Sequence, residues 1–138
     1  MKVELTEDLA TCHALRRIVF VEEQGVAEEE EWDDLDGDAL HLLAWLGDKP
    51  VGTARIFQQD GIGKIGRVCV LPEARGTGLG AALILKAIEV LRQQPGLTTA
   101  KLGAQTHAIG FYEKLGFTAF GPIYDDAGIP HRDMTLAL

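Results

Sequence analysis

The chain has 138 residues, of which 46% are hydrophobic, and it carries a formal net charge of −8. A chain of this length buries roughly 68% of its unfolded surface, which is enough for one core without metal or disulfide cross-links. We therefore expect a single domain over residues 1–138. The acidic balance argues against nucleic-acid binding, which needs a basic face.

The cysteines and the hydropathy pattern indicate the cellular setting. Cys12 and Cys69 are the only cysteines and lie far apart in the sequence. Since the chain shows neither a signal-peptide pattern nor a long apolar stretch, we predict a cytoplasmic protein without membrane association or disulfide. Cys69 lies in an apolar run, which predicts core packing and not a nucleophile.

The first half of the chain predicts one helix and a three-stranded meander. Leu9, Cys12, Leu15 and Val19 have the spacing of an amphipathic helix. Three apolar runs, separated by turns rich in glycine and aspartate, predict antiparallel strands at 39–46, 51–57 and 64–71.

The second half predicts a β-α-β unit. A helical pattern spans 81–94 and ends before Pro95 and Gly96, and a strand follows at 98–104. A right-handed crossover would pair this strand in parallel with the strand at 64–71. A helix at 106–115 and strands at 118–120 and 132–136 complete a mixed sheet of the α/β class.

A glycine-rich loop at residues 75–80, Arg-Gly-Thr-Gly-Leu-Gly, opens the long helix. Glycines lack Cβ atoms, so the backbone can approach a ligand closely, and the first helical turn presents free N–H groups and a positive dipole end. Arg75 adds a forked positive charge that suits a diphosphate. The loop therefore predicts a cradle for an anionic group.

Two common glycine-loop motifs do not fit this segment. A Walker loop ends in Gly-Lys-Ser/Thr, whereas Gly80 is followed by two alanines. A dinucleotide fingerprint follows its strand directly and has an acid about 20 residues later, whereas here residues 72–75 intervene and no such acid occurs.

The pattern Arg75-x-x-Gly78-x-Gly80 resembles the acyl-CoA diphosphate loop of the GNAT superfamily of N-acetyltransferases. Residues 111–117, Phe-Tyr-Glu-Lys-Leu-Gly-Phe, are similar to the second signature of that family, Phe-Tyr-x-x-x-Gly-Phe. Other segments, including Glu23-Gln24, resemble the small bacterial YjcF/ElaA-like subgroup. The resemblance implies an antiparallel meander and a central β-α-β unit with splayed parallel strands, and acetyl-CoA as cosubstrate with no metal.

The resemblance also implies which residues hold the cofactor. In the family, the pantetheine arm lies between the splayed strands and pairs with the first of them, as an added strand would. The N–H of Val70 would then polarise the thioester carbonyl. The implied acyl-CoA residues are Val68, Cys69, Val70, Arg75, Gly76, Thr77, Gly78, Leu79, Gly80, Gln105, Ala108 and Phe111.

Direct attack of an amine on a thioester needs a neutral nucleophile. An alkyl amine with a pKa of about 10.4 is neutral in about one molecule in two thousand at pH 7, so a base should matter. By resemblance, Tyr112 donates a proton to the leaving thiolate. Its spacing from Ala108 and Leu115 also fits an aromatic residue that only packs.

The acceptor side is marked by an acidic segment. Eleven Asp and Glu residues and no Lys or Arg lie between Arg17 and Lys49. Such density would attract a cationic amine, although residues 28–31 also fit a solvated acidic loop. Glu23 follows the apolar run 18–21, so we expect it to be partly buried, with a raised pKa, and to act as the catalytic base.

Three further residues are candidates for substrate binding. His41 lies in a strand, where packing and catalysis are both open. His131 follows Pro130 in a turn-like segment, where packing and a position facing the acceptor pocket are both open. Arg55 either pairs with an acid of residues 33–38 or binds a substrate carboxylate. The histidines lack the spacing of metal ligands.

Together, these features predict an N-acetyltransferase that acts on a primary amine of a small, cationic acceptor. The alternative is a noncatalytic acyl-CoA-binding module that acts by interaction. The sequence leaves the acceptor, the acyl length and the oligomeric state open, with a homodimer among the open arrangements.

Overall fold

The computed structural model describes residues 1–138, which form one seven-stranded mixed sheet flanked by helices. The sheet order is β1-β2-β3-β4-β5-β7-β6. The strands are β1 (Lys2–Thr6), β2 (Leu40–Leu46), β3 (Lys49–Gln59), β4 (Ile62–Val70), β5 (Thr99–Gln105), β6 (Thr118–Asp126) and β7 (Ile129–Ala137). The helices are α1 (Leu9–Arg16), α2 (Glu28–Glu31), α3 (Leu79–Arg92) and α4 (Ile109–Lys114). A π-helical segment, Arg17–Glu23, continues α1.

The predicted mixed fold and the splayed β-α-β unit are confirmed. β4 and β5 are parallel, and they pair only through Ile62–Lys64 and Thr99–Lys101. Beyond Lys64 the two strands diverge, while β4 stays paired with β3 on its other edge. The unit therefore opens a gap in the middle of the sheet at the carboxyl ends of both strands.

A bulge in β4 accompanies this divergence. The register between β3 and β4 shifts by one residue, because Thr53 pairs with Cys69 but Arg55 pairs with Gly66. Within the bulge, Arg67 has a φ of 50°, a left-handed conformation that is uncommon for a residue with a side chain. Such bulges bend a strand and increase its twist, which turns the end of β4 away from β5.

The helices cover both faces of the sheet. Leu83 of α3 lies against Gly52, whereas Cys12 of α1 lies beside Thr53, the next residue of β3. Since successive strand residues point to opposite faces, α1 and α3 lie on opposite sides. At the paired end of β4, α3 packs so closely that a Cβ at Gly63 would overlap Leu91, and only glycine fits this position. None of the helices has the length and apolar character that crossing a bilayer requires.

Several predicted boundaries were wrong. β1 was not predicted at all, and β6 continues through Gly121 and Pro122 to Asp126. Proline is tolerated there because β6 is the edge strand and need not donate a hydrogen bond on its outer side. α3 begins at Leu79, two residues before the predicted start, since Gly78 caps it with a φ of 88°.

The acidic segment is tied to the sheet by an internal ion cluster. Arg16 is 1% exposed and contacts Glu31 at 2.8 Å and Asp36 at 2.9 Å. Arg55 contacts Asp33 at 2.6 Å and Asp36 at 3.1 Å. The prediction of a solvated loop was therefore wrong for Glu31, which is also 1% exposed.

Asp36 is the shared acid of this cluster. Burial alone would raise the pKa of Asp36, but hydrogen bonds from Arg16, His13 and Arg55 and the charge of Arg16 hold it well below the ordinary range. Its two carboxylate oxygens accept from Arg16 and His13, both at 2.9 Å. The folded state therefore favours the ionised carboxylate, which links stability to pH.

We expect Asp36→Asn to destabilise the protein by about 3 kcal/mol at pH 7, because it leaves two buried guanidinium groups short of one charge. Since the pKa of Asp36 is depressed in the folded state, its contribution is fully present above the ordinary aspartate pKa of about 3.9 and is lost as pH falls from there through the folded-state pKa. In urea denaturation the deficit should therefore stay constant from pH 7 to about pH 4 and shrink only below that pH. Asp38→Asn, at an exposed neighbour, is the control; equal effects of the two changes would contradict this role.

Candidate active site

A cavity of about 630 Å³ opens between the diverging ends of β4 and β5. Its walls combine β4, β5, the end of the π-helical segment, α4 and the hairpin of β6 and β7. The gap in the sheet thus connects the face that carries α1 with the face that carries α3 and α4. A ligand in this cavity would contact groups from both faces.

Val68, Cys69 and Val70 line the cavity along β4. Their strand has no partner on the β5 side beyond Lys64, so backbone groups on this edge are open to an extended ligand. Cys69 is 4% exposed, and burial raises the pKa of its thiol to about 12. The thiol therefore stays protonated, as expected of a packing residue.

The glycine loop lies beside the cavity at the start of α3. Gly76 and Gly78 have φ values of 79° and 88°, which favour glycine, and Thr77 donates its hydroxyl to the carbonyl of Ala74 at 2.5 Å. Leu79 places its side chain in the core at 1% exposure, so only its backbone is available to a ligand. The loop leaves the first N–H groups of a 14-residue helix free.

Two other predicted cofactor residues lie near this loop. Gly80 faces the ring of Phe111, since a Cβ at Gly80 would lie 3.5 Å from that ring. Phe111 itself lies outside the cavity wall and is 39% exposed. Ala108, one turn earlier, lines the cavity.

Arg75 does not point along the glycine loop but pairs with Glu23. Both guanidinium nitrogens of its fork donate to the carboxylate, at 2.7 and 2.6 Å, and its Nε donates to the Val70 carbonyl at 3.1 Å. Glu23 is exposed, and the hydrogen bonds from Arg75 lower its pKa. The expectation of a partly buried Glu23 with a raised pKa was therefore wrong, because that expectation overlooked the partner 52 residues away.

The next residue, Gln24, reaches the opposite arm of the gap. Gln105 donates its side-chain amide to Gln24 at 3.0 Å, and its oxygen is 2.7 Å from Nε2 of His107. The end of the π-helical segment is thus attached to β4 through Glu23 and to β5 through Gln24. Both contacts lie in the cavity wall.

Tyr112 projects into the cavity from α4 and is 9% exposed. Its ring makes edge contacts with Phe111 and Phe117, at centroid distances of 5.0 and 6.1 Å. Burial raises the pKa of its hydroxyl to about 12, so the group holds its proton at neutral pH. The sequence allowed Tyr112 to be either a packing residue or a proton donor. In the structure its ring packs against two phenylalanines and its hydroxyl is protonated, so both functions are compatible.

His131 faces the cavity from β7, in register between Gln105 of β5 and Tyr124 of β6. Its Nδ1 lies 2.7 Å from the Ile129 carbonyl, and its ring stacks on Tyr124 at a centroid distance of 5.9 Å. The Tyr124 hydroxyl, which donates to Asp133 at 2.8 Å, would overlap a Cβ at Gly103. This glycine thus makes room for the aromatic wall of the pocket.

His41 and Arg55 lie outside the cavity wall. Nε2 of His41 is 3.0 Å from the carbonyl of Asp36, and Arg55 belongs to the ion cluster, the first of its two predicted alternatives. Sequence reasoning assigned no function to Gln24, Tyr124 and Arg67, all of which line the cavity. Tyr124 enters it through strand register, Arg67 through a bulge, and Gln24 at the end of the π-helical segment, and the local pattern carries no signal for these placements.

Arg67 links the cavity to the ion cluster. Its Nη2 donates to the carbonyl of Glu31 at 3.1 Å and to the carboxylate of Asp33 at 3.2 Å. Its Nε lies 3.1 Å from the Glu31 carboxylate but is not aligned for a hydrogen bond, so this contact is purely a charge contact. No group of three or more His, Cys, Asp or Glu side chains is arranged to hold a metal ion.

Comparison with known proteins agrees with this geometry. The family model described as an acetyltransferase (GNAT) domain matches residues 14–138. The chain is 41% identical over 129 residues to the uncharacterized N-acetyltransferase YjcF of Bacillus subtilis, which covers 93% of this chain and 91% of YjcF. It is 38% identical over 124 residues to ElaA of Escherichia coli, covering 87% of this chain and 81% of ElaA. These matches confirm the resemblance drawn from the sequence.

The fold is also that of a solved relative. The crystal structure of an acyl-CoA N-acyltransferase from Pseudomonas aeruginosa superimposes with a TM-score of 0.88 at 31% identity. The match covers 99% of this chain and 100% of that one. The splayed unit and the meander are therefore shared with an acyltransferase over their whole length.

The pair between Glu23 and Arg75 predicts a competition with the ligand. If the fork of Arg75 binds a CoA diphosphate, it must first leave Glu23, so Glu23→Gln should tighten CoA binding roughly 2- to 5-fold at low salt. Calorimetry with CoA at low and high ionic strength measures this, and the gain should shrink in high salt. Glu22→Gln removes the same charge from an exposed neighbour without an ion pair and is the matched control. Unchanged or weaker binding in Glu23→Gln would contradict the competition.

Proposed function

The chain belongs to the GNAT acetyltransferase family, and from this premise we propose that it transfers an acetyl group from acetyl-CoA to a primary amine. It is an acyl-CoA-dependent N-acyltransferase. The proposed acceptor is a small cationic molecule whose nitrogen attacks the thioester directly, without a covalent enzyme intermediate.

The gap between β4 and β5 is the observation that carries the proposal. An extended pantetheine arm carries amide groups that can pair with the open edge of β4 beyond Lys64. Val68 and Val70 border the cavity at that edge, and the glycine loop adjoins it at the start of α3. A diphosphate at this helix start and a thioester in the gap agree with the polarity of an acyl-CoA, which is anionic at one end and carries amides along its arm.

The chemistry of the leaving group supports Tyr112 as proton donor. When the amine nitrogen bonds to the carbonyl carbon, the C–S bond breaks and the sulfur leaves as a thiolate. Tyr112 gives its proton to this thiolate, and its phenolate then takes the second proton from the new amide nitrogen. A hydroxyl whose pKa is about 12 stays protonated at neutral pH. It is a weaker acid than the thiol that it forms, whose pKa is about 8.5, so the transfer is completed when the strongly basic phenolate takes the nitrogen proton.

The charge distribution supports a cationic acceptor, but fewer acidic residues are available to attract it than the composition suggests. Glu31, Asp33 and Asp36 are neutralised by the ion cluster, so they add little to the field in the cavity. Glu30 and Asp126 line the cavity and have no basic partner. These two exposed carboxylates would attract an ammonium group without holding it in a buried pair.

Release of the CoA thiol in the presence of amines tests the proposed function. The wild-type protein is incubated with acetyl-CoA and polyamines, amino acids or aminoglycosides, and free thiol and acylated product are both measured. We expect release that depends on one class of cationic primary amine. CoA binding without thiol release for any amine would instead favour the noncatalytic acyl-CoA-binding module.

Tyr112→Phe separates proton donation from packing. The change keeps the ring and its contacts with Phe111 and Phe117 but removes the hydroxyl, so turnover should fall about 100-fold. The dissociation constant for CoA and the melting temperature should stay close to wild type. Full turnover together with a lowered melting temperature would show that Tyr112 only packs.

A further inference from the structure

We infer that His131 is the catalytic base that takes the proton from the acceptor's ammonium group. This inference rests on the proposed transfer to an amine and assigns a residue to a step that the transfer needs. At pH 7 about one alkyl amine molecule in two thousand is neutral, and nearly all of the acceptor is in the ammonium form. An enzyme with its own base can bind this abundant ammonium form and deprotonate it in the site.

The hydrogen bonding of His131 fixes the nitrogen that can act. Nδ1 lies 2.7 Å from the Ile129 carbonyl, which can only accept a hydrogen bond. In the neutral ring, Nδ1 therefore carries the hydrogen, and Nε2 holds a free lone pair. No other protein atom bonds to the ring nitrogens, and the residue lines the cavity, so Nε2 is available to a ligand there.

The ring is held in place by its neighbours. Tyr124 stacks on it at 24° between the ring planes, and the Tyr124 hydroxyl is in turn anchored on Asp133 at 2.8 Å. Gly103 leaves room for that hydroxyl next to β5. The imidazole is thus fixed by one hydrogen bond and one aromatic wall, as a base must be for proton transfer in a defined geometry.

The other candidate bases in the cavity are less suited to accept this proton. Glu23 is held by both arms of the Arg75 fork, and those hydrogen bonds lower its pKa. His107 donates from Nε2 to Gln105, which leaves its Nδ1 free, but the residue is exposed and no aromatic ring packs against it to fix the imidazole. An ordinary carboxylate is a weaker base than imidazole by roughly two pKa units, so exposed carboxylates attract the ammonium group but deprotonate it poorly.

The groups around His131 are mixed in charge. The imidazole has neutral Gln105 on the β5 side and Tyr124 on the β6 side. Other titratable groups of the cavity wall come from every element around it: Asp126 from β6, Glu30 and Glu31 from α2, Glu23 from the π-helical segment, Arg67 and Cys69 from β4, Arg75 from the glycine loop, Tyr112 from α4, and His107. Asp133, two residues along β7, is engaged by Tyr124 and by Lys101 at 3.8 Å.

The proton balance is complete with His131 and Tyr112. The ammonium proton passes to Nε2, and the nitrogen lone pair bonds to the thioester carbon. The thiolate leaves with the proton of Tyr112, and the Tyr112 phenolate takes the second nitrogen proton. The imidazolium then loses its proton to water, so one proton is released for each amide and CoA thiol formed.

The pH dependence of kcat/KM tests this inference with an amine that the thiol-release panel identifies. With His131 as base, kcat/KM should rise with pH until the imidazole is neutral and then stay level up to the pKa of the amine. In His131→Asn the level region should be replaced by a continuous rise in proportion to the neutral amine, with a loss of 100-fold or more at pH 7. The Asn amide can still donate to the Ile129 carbonyl, and His131→Gln provides a second variant.

An acceptor with a weaker amine separates catalysis from structure. A trifluoromethyl group on the carbon that carries the amine lowers the amine pKa enough for the acceptor to be largely neutral at pH 7, and His131→Asn should lose less than 10-fold with it. Glu23→Gln and His107→Asn should both keep the level region of the pH profile. His131→Asn also keeps CoA affinity if the residue acts only on the acceptor.

Three results would overturn the inference. They are a level region retained in both His131 variants, a level region lost in Glu23→Gln instead, and an equal loss with the ordinary and the fluorinated acceptor. A wild-type protein that releases no thiol with any amine would instead refute the proposed function. The two failures are therefore distinguished by the wild-type protein alone.

Discussion

The parallel pairing of β4 and β5 ends after three residue pairs, and the rest of the site depends on this limit. Strand backbones have hydrogen-bonding groups that are costly to leave unpaired away from water, so an open edge inside a sheet favours a ligand that can pair with it. The bulge at Arg67 directs the end of β4 away from β5, while Gly63 and Leu91 hold the paired end closely against α3. The gap is therefore built into the strands and does not result from the surrounding loops.

The ion cluster fixes the elements that border this gap. Arg16 of α1, Arg55 of β3 and Arg67 of β4 converge on Glu31, Asp33 and Asp36, so one acidic loop connects a helix to two strands. Removing one partner from such a buried arrangement costs more than the intact arrangement contributes, which makes its charge balance a condition of the fold. Because Arg67 is also the bulge residue, the loop and the shape of β4 are stabilised together. Three of the eleven acids between Arg17 and Lys49 thus serve the structure through this cluster.

The sequence predicted the parts of the fold whose signals are local. The meander, the long helix and the β-α-β unit follow from apolar runs and turns, and the glycine loop follows from three glycines before a helix. β1 was missed because a five-residue edge strand with Val3 and Leu5 has little pattern of its own and depends on β2 for pairing. The extension of β6 was missed because Gly121 and Pro122 read as a turn, although an edge strand tolerates both.

The site was predicted where it follows a motif and not where it depends on long-range contacts. Tyr112 and the strand residues 68–70 lie in the cavity wall, whereas the environment of Glu23 depends on Arg75, and that of Arg55 on Asp33 and Asp36. The partners of these two charged residues lie 19 and 52 residues away in the sequence, for Arg55 with Asp36 and for Glu23 with Arg75. Composition alone does not identify such partners. His131 shows the same limit, since its register partners come from two other strands.

The two proposed proton-transfer residues reach the gap from opposite faces of the sheet. Leu136 lies close to Gly116 at the end of α4, and His131, five residues earlier on the same regular strand, points to the other face. Tyr112 therefore approaches from the α4 side and His131 from the side of the π-helical segment. In the proposed reaction the thioester lies between them, so His131 takes the first proton from the attacking nitrogen on one side while Tyr112 protonates the leaving sulfur on the other. Without the gap, a continuous sheet would separate Tyr112 from His131. A substrate bound on one face of that sheet could then contact only one of the two residues.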